Sequence, residues 1–180
     1  MRKPTYRRNS LRLKTHDYRL PRFYFVTVAA WGRRCLFGAV ERGRMYPNDA
    51  GRIVEEEWRR TADLRPNVDL DAFIVMPNHF HGIVQILHPV DGSNPEIPAP
   101  RRSVNQRRFA RPVPGSLSTI VGSIKAAATR RIRRLDGREG IRVWQRGFDD
   151  RIIRSREHLD AVRRYIRTNP RRWAARTRRP

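Results

Sequence analysis

Residues 71–87 read DAFIVMPNHFHGIVQIL, and this stretch predicts the centre of the fold. Both of its halves are rich in β-branched and aromatic residues, as strands are. The Pro77-Asn78 pair between them is typical of a turn. The stretch therefore predicts a β-hairpin that carries two histidines, His79 and His81, beside its tip.

The segments on either side of this hairpin alternate between strand-like runs and helical periodicity. Ser155 is a good N-cap for the last helix. Pro170 is expected to end that helix, because the residue before a proline is pushed away from helical geometry. In chain order the predicted elements are a strand at 23–30, a helix at 50–65, strands at 71–76 and 79–87, a helix at 117–135, a strand at 141–145 with a short extension at 151–154, and a helix at 155–170.

The order β-α-β-β-α-β plus a terminal helix is typical of a ferredoxin-like α+β sandwich. We expect an antiparallel sheet with helices on one face, and a further C-terminal helix. The length suits one domain, placed at 23–170 between a basic arm at 1–22 and a basic tail at 171–180. Residues 88–114 hold six of the thirteen prolines and are expected to form a long loop or insert.

The chain is strongly basic, with 40 Lys and Arg against 17 Asp and Glu and a net charge of +23. Residues 101–180 hold 24 of the basic residues and 6 of the acidic ones. A domain with this excess is expected to bind a polyanion, and nucleic acid is the first candidate. Nearly all of the basic residues are arginine, which grips phosphate with a planar fork. A GC-rich genome would explain that ratio equally well, but it would not explain the net charge.

Membrane and secreted proteins are disfavoured. No apolar run approaches the ~20 residues that a membrane-spanning helix needs, and no signal-peptide core follows the basic start. Cys35 is the single cysteine of the chain, which argues against a disulfide framework and a cysteine-based zinc site. We therefore expect a cytoplasmic, nucleoid-associated protein that does not bind a membrane.

The two histidines of the hairpin are candidate metal ligands. Residues i and i+2 of a strand point to the same side, so His79 and His81 can reach one ion while Phe80 turns away. The simpler interpretation is two polar residues near a strand end, satisfied by water or backbone.

The predicted last helix carries a matching stripe. Its members are spaced so that they lie along one side of the helix: His158, Val162, Tyr165 and Asn169. Tyr165 and Asn169 are one turn apart, so a phenol and an amide oxygen can face the same point. A tyrosine in such a stripe also occurs simply as core packing.

Four stretches of the chain resemble the REP-associated tyrosine transposases, a group of the single-tyrosine HUH transposases, which are named for the His-hydrophobic-His pair. In order they read DYRLPRFYFVTVAAWGRRCLFG, MPNHFHGIV, LSTIVGSIKAAATRRI and VWQRGFDDRIIRSREHLDAVRRYIRTNPRRW. The similarity extends from about residue 8 to residue 173. The combination of His-x-His after MPN with Y-x-x-x-N-P-x-x-W is specific, whereas either motif alone is not.

The resemblance implies that His79 and His81 are metal ligands, that Asn169 completes the metal site and that Tyr165 is the nucleophile. It implies a magnesium or manganese ion, whereas imidazole ligands alone favour zinc or another late transition metal. It also implies an enzyme that cuts and rejoins single-stranded DNA near palindromic-repeat hairpins, through a 5′-phosphotyrosine. The oligomeric state stays open, with a monomer favoured over a dimer.

Several basic residues are expected to contact the DNA backbone, although a solvated helix face explains some of them. Five lie near the predicted nucleophile, and the sixth, Lys125, lies on the other long helix: Arg151, Arg154, Arg163, Arg164, Arg167 and Lys125. The alternative function is a non-catalytic binding module, because a ferredoxin-like sheet with aromatic and arginine side chains also holds single strands. The paired motifs favour the enzyme, since a pure binder has no use for His-x-His facing a tyrosine and an asparagine.

Overall fold

A computed structural model describes residues 16–90, 113–135 and 140–177 of the chain. Most of the expected basic arm and of the Pro-rich insert lies outside these residues. Within them the elements are β1 (Arg22–Ala29), β2 (Gly38–Glu41), β3 (Arg44–Pro47), α1 (Asp49–Asp63), β4 (Val68–Met76), β5 (His79–Ile86), α2 (Leu117–Arg133), β6 (Asp149–Ile153) and α3 (Arg156–Thr177). A short 3-10 turn, Trp31–Arg33, follows β1.

Four of the strands form one antiparallel sheet in the order β4-β5-β1-β6. The predicted hairpin is confirmed, with Met76 of β4 paired to His79 of β5. On its other side β5 pairs with β1, so that Thr27 lies opposite His81. Helices α1 and α2 connect strands that are not neighbours in the sheet. This arrangement is the ferredoxin-like α+β sandwich that the order of elements predicts.

The alternation of side chains along β1 gives the sheet two different apolar faces. Tyr24, Val26 and Val28 pack on one face with the buried sides of α1 and α2. Phe25 points to the opposite face, where it joins Ile83 of β5 and the buried side of α3. Helix α3 therefore covers the face of the sheet that α1 and α2 leave open.

A glycine in the middle of β5 permits the close approach of α1. A Cβ atom at Gly82 would lie only 2.5 Å from a ring carbon of Trp58, which is buried in the core. The small residue between His81 and Ile83 thus lets the Trp58 ring approach the strand closely. This contact holds the back of the strand that carries both histidines.

Each of the three helices begins at a polar cap, as helix N-termini require. The side chains of Asn48, Ser116 and Ser155 each accept a hydrogen bond from the backbone N–H three residues later. The cap expected at Ser155 is therefore confirmed. Among the helices that the structure describes, none is both long enough and apolar enough to cross a membrane.

The strand predicted at residues 141–145 is wrong. Within those residues, all of which the structure describes, an isolated bridge joins Trp144 to Ala30. The apolar side chains instead close one end of the core, where Val143 is buried and the Trp144 ring packs on Phe37. The fourth strand of the sheet is β6, which overlaps the segment that was expected to be only a short extension. The alternation of apolar and polar residues that suggested a strand arises because Val143 is buried at the end of the core.

Helix α3 does not end at Pro170, contrary to the prediction, but continues to Thr177. A proline inside a helix removes one backbone hydrogen bond, yet contacts of the following turn compensate. The Arg172 guanidinium carbon lies 5.4 Å from the centre of the Tyr165 ring, and the Trp173 ring centre lies 5.9 Å from that of His79. The first part of the expected basic tail is therefore helical and adjoins the histidines.

A second hairpin, β2–β3, was not predicted from the sequence. Its strands have four residues each, and their outward positions are exposed. Gly43 in its turn has φ +76°, and a Cβ there would lie 3.2 Å from the side chain of Arg171. The hairpin thus packs beside the part of α3 that continues past Pro170.

Candidate active site

The two histidines occupy adjacent same-side positions at the start of β5, as predicted. His79 and His81 are only 8% and 4% exposed, and their ring centres are 4.5 Å apart. The ring of Phe25, from the neighbouring strand β1, stacks on His81 at 5.2 Å. The pair is therefore held rigidly at the end of the sheet rather than displayed on a loose loop.

Each imidazole has a hydrogen-bond partner at Nδ1. Asn78 Oδ1 lies 2.7 Å from His79 Nδ1, and Thr27 Oγ1 lies 2.9 Å from His81 Nδ1. The amide of Asn78 is oriented by its other end, since its Nδ2 donates to the backbone oxygen of Arg33 at 3.1 Å. His79 therefore donates from Nδ1. Outer partners of this kind fix ring orientation and leave Nε2 as the candidate ligand atom.

Both histidines are neutral at physiological pH. Burial lowers the pKa of His79 to about 4, and the positive charge of Arg33 adds to the effect. Burial, followed by the charges of His79 and Arg33, lowers the pKa of His81 to about 3. A neutral imidazole keeps the lone pair that a metal ion needs, so these side chains are ready to act as ligands.

The side chain of Tyr165 on α3 reaches the histidines from the opposite side. Its hydroxyl oxygen lies 3.5 Å from His81 Nε2, although the two residues are 84 positions apart in the chain. The ring meets Phe25 edge-to-face at 6.0 Å and His81 at 5.3 Å. The half-buried phenol is thus positioned by aromatic contacts, with its oxygen at the edge of the imidazole pair.

Asn169 lies one helical turn beyond Tyr165 and is only 6% exposed. Its side chain lines the same cleft as the tyrosine and both histidines. The predicted stripe of α3 is confirmed, because all four of its members border that cleft: His158, Val162, Tyr165 and Asn169.

The cleft between the sheet and α3 has a volume of about 950 Å³ and is open to solvent on one side. Strand β6 contributes Asp149, Asp150 and Arg151 to its wall, and the turn after β1 contributes Arg33. The far end of α3 adds Arg172, Trp173 and Arg176. A cleft of this size with basic walls and an aromatic floor suits a strand of nucleic acid.

Among the described residues, no group of three or more His, Cys, Asp or Glu side chains is placed to hold a metal ion. The imidazoles of His79 and His81 and the amide of Asn169 line the cleft together, and Asp149, Asp150 and His158 line it as well. Two imidazole nitrogens and one neutral amide oxygen would leave coordination positions open for water or phosphate oxygens.

The basic residues expected to contact DNA fall into different environments. Arg151 lines the cleft, whereas Arg154, Arg164 and Arg167 are exposed and do not border it. The Lys125 ammonium donates to the carbonyls of Gln145 and Gly147 at 2.8 and 2.7 Å, and so anchors the loop before β6.

The guanidinium of Arg163 forms ion pairs with Asp71 of β4 and with Asp160 of its own helix. The side-chain hydrogen bond from Arg163 lowers the pKa of Asp71. This pair joins α3 to the edge of the sheet, and so it holds the helix that carries Tyr165.

Sequence reasoning missed several residues of the site. Thr27, Arg33 and Asn78 support or border the histidines, and Trp173 packs beside His79. Two of them could have been found from the sequence, because Asn78 directly precedes His79 and Trp173 belongs to the Y-x-x-x-N-P-x-x-W motif. Thr27 and Arg33 could not, because they reach the site only through strand pairing and a turn.

Comparison with individual known proteins shows which family the chain belongs to, although no model of a known protein family matches it. A Haemophilus influenzae protein described as uncharacterized is 34% identical over 167 residues, which are 92% of this chain and 89% of that protein. The chain belongs to that protein's family.

Comparison with solved structures identifies a protein with a similar fold. The structure of a REP-associated tyrosine transposase bound to a REP hairpin matches with a TM-score of 0.57 and 17% sequence identity, covering 89% of this chain and 74% of that one. The chain has a REP-associated tyrosine transposase-like fold. The resemblance inferred from the motifs is thereby confirmed for the fold, from coordinates rather than from sequence.

Proposed function

We propose that the protein is a metal-dependent single-stranded DNA endonuclease and strand transferase that acts near palindromic-repeat hairpins. The observation that carries the proposal is the meeting of Tyr165 with His81 in a basic cleft, with its hydroxyl 3.5 Å from Nε2. A phenol beside two neutral imidazoles and an amide is the arrangement expected of a nucleophile at a metal site. The fold of the chain is consistent with that activity.

The residues present fit a divalent ion. His79 and His81 would bind it through Nε2, since each Nδ1 already has a partner, and Asn169 would add its amide oxygen. Magnesium or manganese is proposed on the resemblance to the family. When bound, such an ion supplies Lewis-acid stabilisation of negative charge on a phosphate oxygen and on the leaving oxygen.

Tyr165 acts as the nucleophile on the scissile phosphate. Its oxygen forms a bond to phosphorus as the bond from phosphorus to the 3′-oxygen breaks, and the electron pair departs with that oxygen. The phenol loses its proton to water in the open cleft, and the 3′-oxygen takes one up from water. The product is a 5′-phosphotyrosine, which a DNA 3′-hydroxyl can attack to reverse the step without an external energy source.

Basic side chains outnumber the carboxylates of Asp149 and Asp150 among the residues that line the cleft. Arg33, Arg151 and Arg172 line the cleft, and the Arg172 guanidinium lies over the Tyr165 ring. These guanidinium groups can hold phosphate groups of the bound strand. The high net charge of the chain draws a nucleic acid towards the cleft from a distance.

The second candidate is a non-catalytic module that binds single strands on its sheet. Such modules stack bases on an exposed sheet face opposite their helices. Here α3 covers that face, and its apolar residues pack against those of the strands: Phe25, Ile83, Ile153, Leu159, Val162 and Ile166. The buried sheet therefore favours the enzyme.

The test uses single-stranded oligonucleotides that contain palindromic hairpins, copied from repeats beside the gene where these occur. Cleavage should stop in EDTA and return with added manganese or magnesium. His81→Ala should abolish cleavage and lower manganese affinity, measured separately by electron paramagnetic resonance. His88→Ala is the matched control, because His88 is exposed and lies outside the cleft. Full cleavage in EDTA, or unchanged manganese affinity in His81→Ala, would contradict the proposal.

A further inference from the structure

The short turn after β1 combines an unusual backbone with two conspicuous side chains. Gly32 and Arg33 have φ values of +63° and +57°. This left-handed conformation is uncommon for a residue other than glycine, and at Arg33 it costs about 1 kcal/mol or more. A conformation of this kind persists only where surrounding contacts hold it.

Contacts on both sides hold this turn against the hairpin of the active site. Asn78 accepts the backbone N–H of Ala30 with its carbonyl at 2.9 Å and donates its side-chain amide to the carbonyl of Arg33 at 3.1 Å. On the other side, the backbone N–H of Trp31 donates to the carbonyl of Val143 at 2.9 Å. The turn is therefore fixed relative to His79, which follows Asn78 directly.

The two side chains of the turn face different surroundings. Arg33 lines the cleft, close enough for its charge to act on both histidines. Trp31 is 41% exposed, and the guanidinium of Arg142 lies over its ring, 4.8 Å from the centroid. An exposed indole paired with arginine therefore lies immediately outside the basic cleft. Neither Trp31 nor Arg142 has a part in the chemistry proposed above.

We propose that Trp31, together with Arg142, is a stacking subsite for one nucleobase of the single strand whose phosphate lies in the cleft. The proposal rests on the proposed function, which places a strand there. Arg33 would hold the intervening phosphate. Because Trp31 and Arg33 are two residues apart, their Cα atoms are at most about 7 Å apart. The stacked base would therefore belong to a nucleotide close to the phosphate that Arg33 holds.

The chemistry of the surface favours a nucleobase over other partners. Stacking on an aromatic ring and on a guanidinium is available to every base, since each has a π-face. A single indole offers too little apolar area for a protein partner or a membrane. The site therefore contributes affinity that depends on the presence of a base but tolerates its identity.

The test compares two probes that share a phosphate backbone. One is a thymine homopolymer of about 16 nucleotides, a length near the upper end of single-strand sites. The other is an abasic strand of the same length. All proteins carry Tyr165→Phe, and binding is measured in EDTA, so that no cleavage occurs. The readout is the ratio of the two affinities.

The expected results separate stacking from charge. Trp31→Ala should reduce the preference for the thymine probe by about 5- to 150-fold, the range for loss of one base–aromatic stack. Trp31→Phe should retain most of it, and Arg33→Ala should weaken both probes equally. Tyr46→Ala is the matched control, because Tyr46 is 50% exposed and lies outside the cleft.

A Trp31→Ala protein that keeps the full preference for the thymine probe would overturn the inference, as would one that weakens both probes equally. Trp31 is a surface residue, and a thermal melt of each variant will verify folding. Because the measurement needs no cleavage, absence of the phosphotyrosine adduct would defeat the proposed function without producing either of these results.

Discussion

Replacement of Tyr165 by phenylalanine separates catalysis from folding and binding. The change removes one oxygen and leaves the ring contacts with Phe25 and His81 in place. The lost oxygen lies 3.5 Å from His81 Nε2, at the limit of hydrogen-bond distance, so its net contribution to stability is at most about 1 kcal/mol. For a chain of this size that corresponds to a melting temperature lower by roughly 2–4 °C at most. DNA affinity should fall by less than about fivefold, the equivalent of ~1 kcal/mol.

The assay follows the protein–DNA adduct on a denaturing gel. A single-stranded hairpin oligonucleotide is labelled at either the 5′ or the 3′ end and incubated with the protein and manganese. Only the 3′-labelled fragment should migrate with the native protein, and no adduct should form with Tyr165→Phe. Tyr46→Phe serves as the control, because Tyr46 is exposed and lies outside the cleft. An adduct that persists in Tyr165→Phe, or one that carries the 5′ label, would refute the assigned nucleophile or the polarity.

Three further predictions follow from the charges and contacts. Affinity for single-stranded DNA should fall steeply as the salt concentration rises. In a plot of the logarithm of the association constant against the logarithm of the salt concentration, each neutralised phosphate should add about −0.7 to the slope. Binding that does not depend on salt would contradict an electrostatic cleft. Asn169→Ala should reduce cleavage less than His81→Ala does, because water can replace an amide ligand; equal loss in single-turnover assays would assign Asn169 a larger part. The pKa of Asp71 is lower in the folded protein than the value of 3.8 for the unfolded chain. Its ion pair with Arg163 therefore stabilises the fold fully at pH values above 3.8. This stabilisation is lost as the pH falls through the lower pKa of the folded state. Asp71→Asn should lower the melting temperature at neutral pH and flatten its decline in acid, and an unchanged acid profile would contradict the assignment.

Two elements illustrate why part of the fold escaped prediction. Residues 141–145 alternate like a strand, but their apolar side chains plug the end of the core, and a single bridge pairs them with the sheet. Pro170 is a strong local helix terminator, yet α3 continues because the next turn packs on Tyr165 and His79. In both cases tertiary contacts outweighed a local preference, which is about 3 kcal/mol for the proline and at most about 1 kcal/mol for the strand-like segment.

The sequence by itself determined the features that depend on local geometry. The period of two in β5 placed His79 and His81 on one side, and the helical spacing of α3 placed Tyr165 and Asn169 on one stripe, because each pattern repeats within a single element. Only the tertiary structure decided that the two elements meet. The contact of Tyr165 with His81 spans 84 positions, and the Arg163–Asp71 pair that joins α3 to the sheet spans 92. The same holds for Thr27 and Arg33, which come to the histidines through strand pairing and a left-handed turn. Contacts between residues so far apart in the chain produce no periodic pattern in the sequence. They form only when the strands have paired and the helices pack on the assembled sheet.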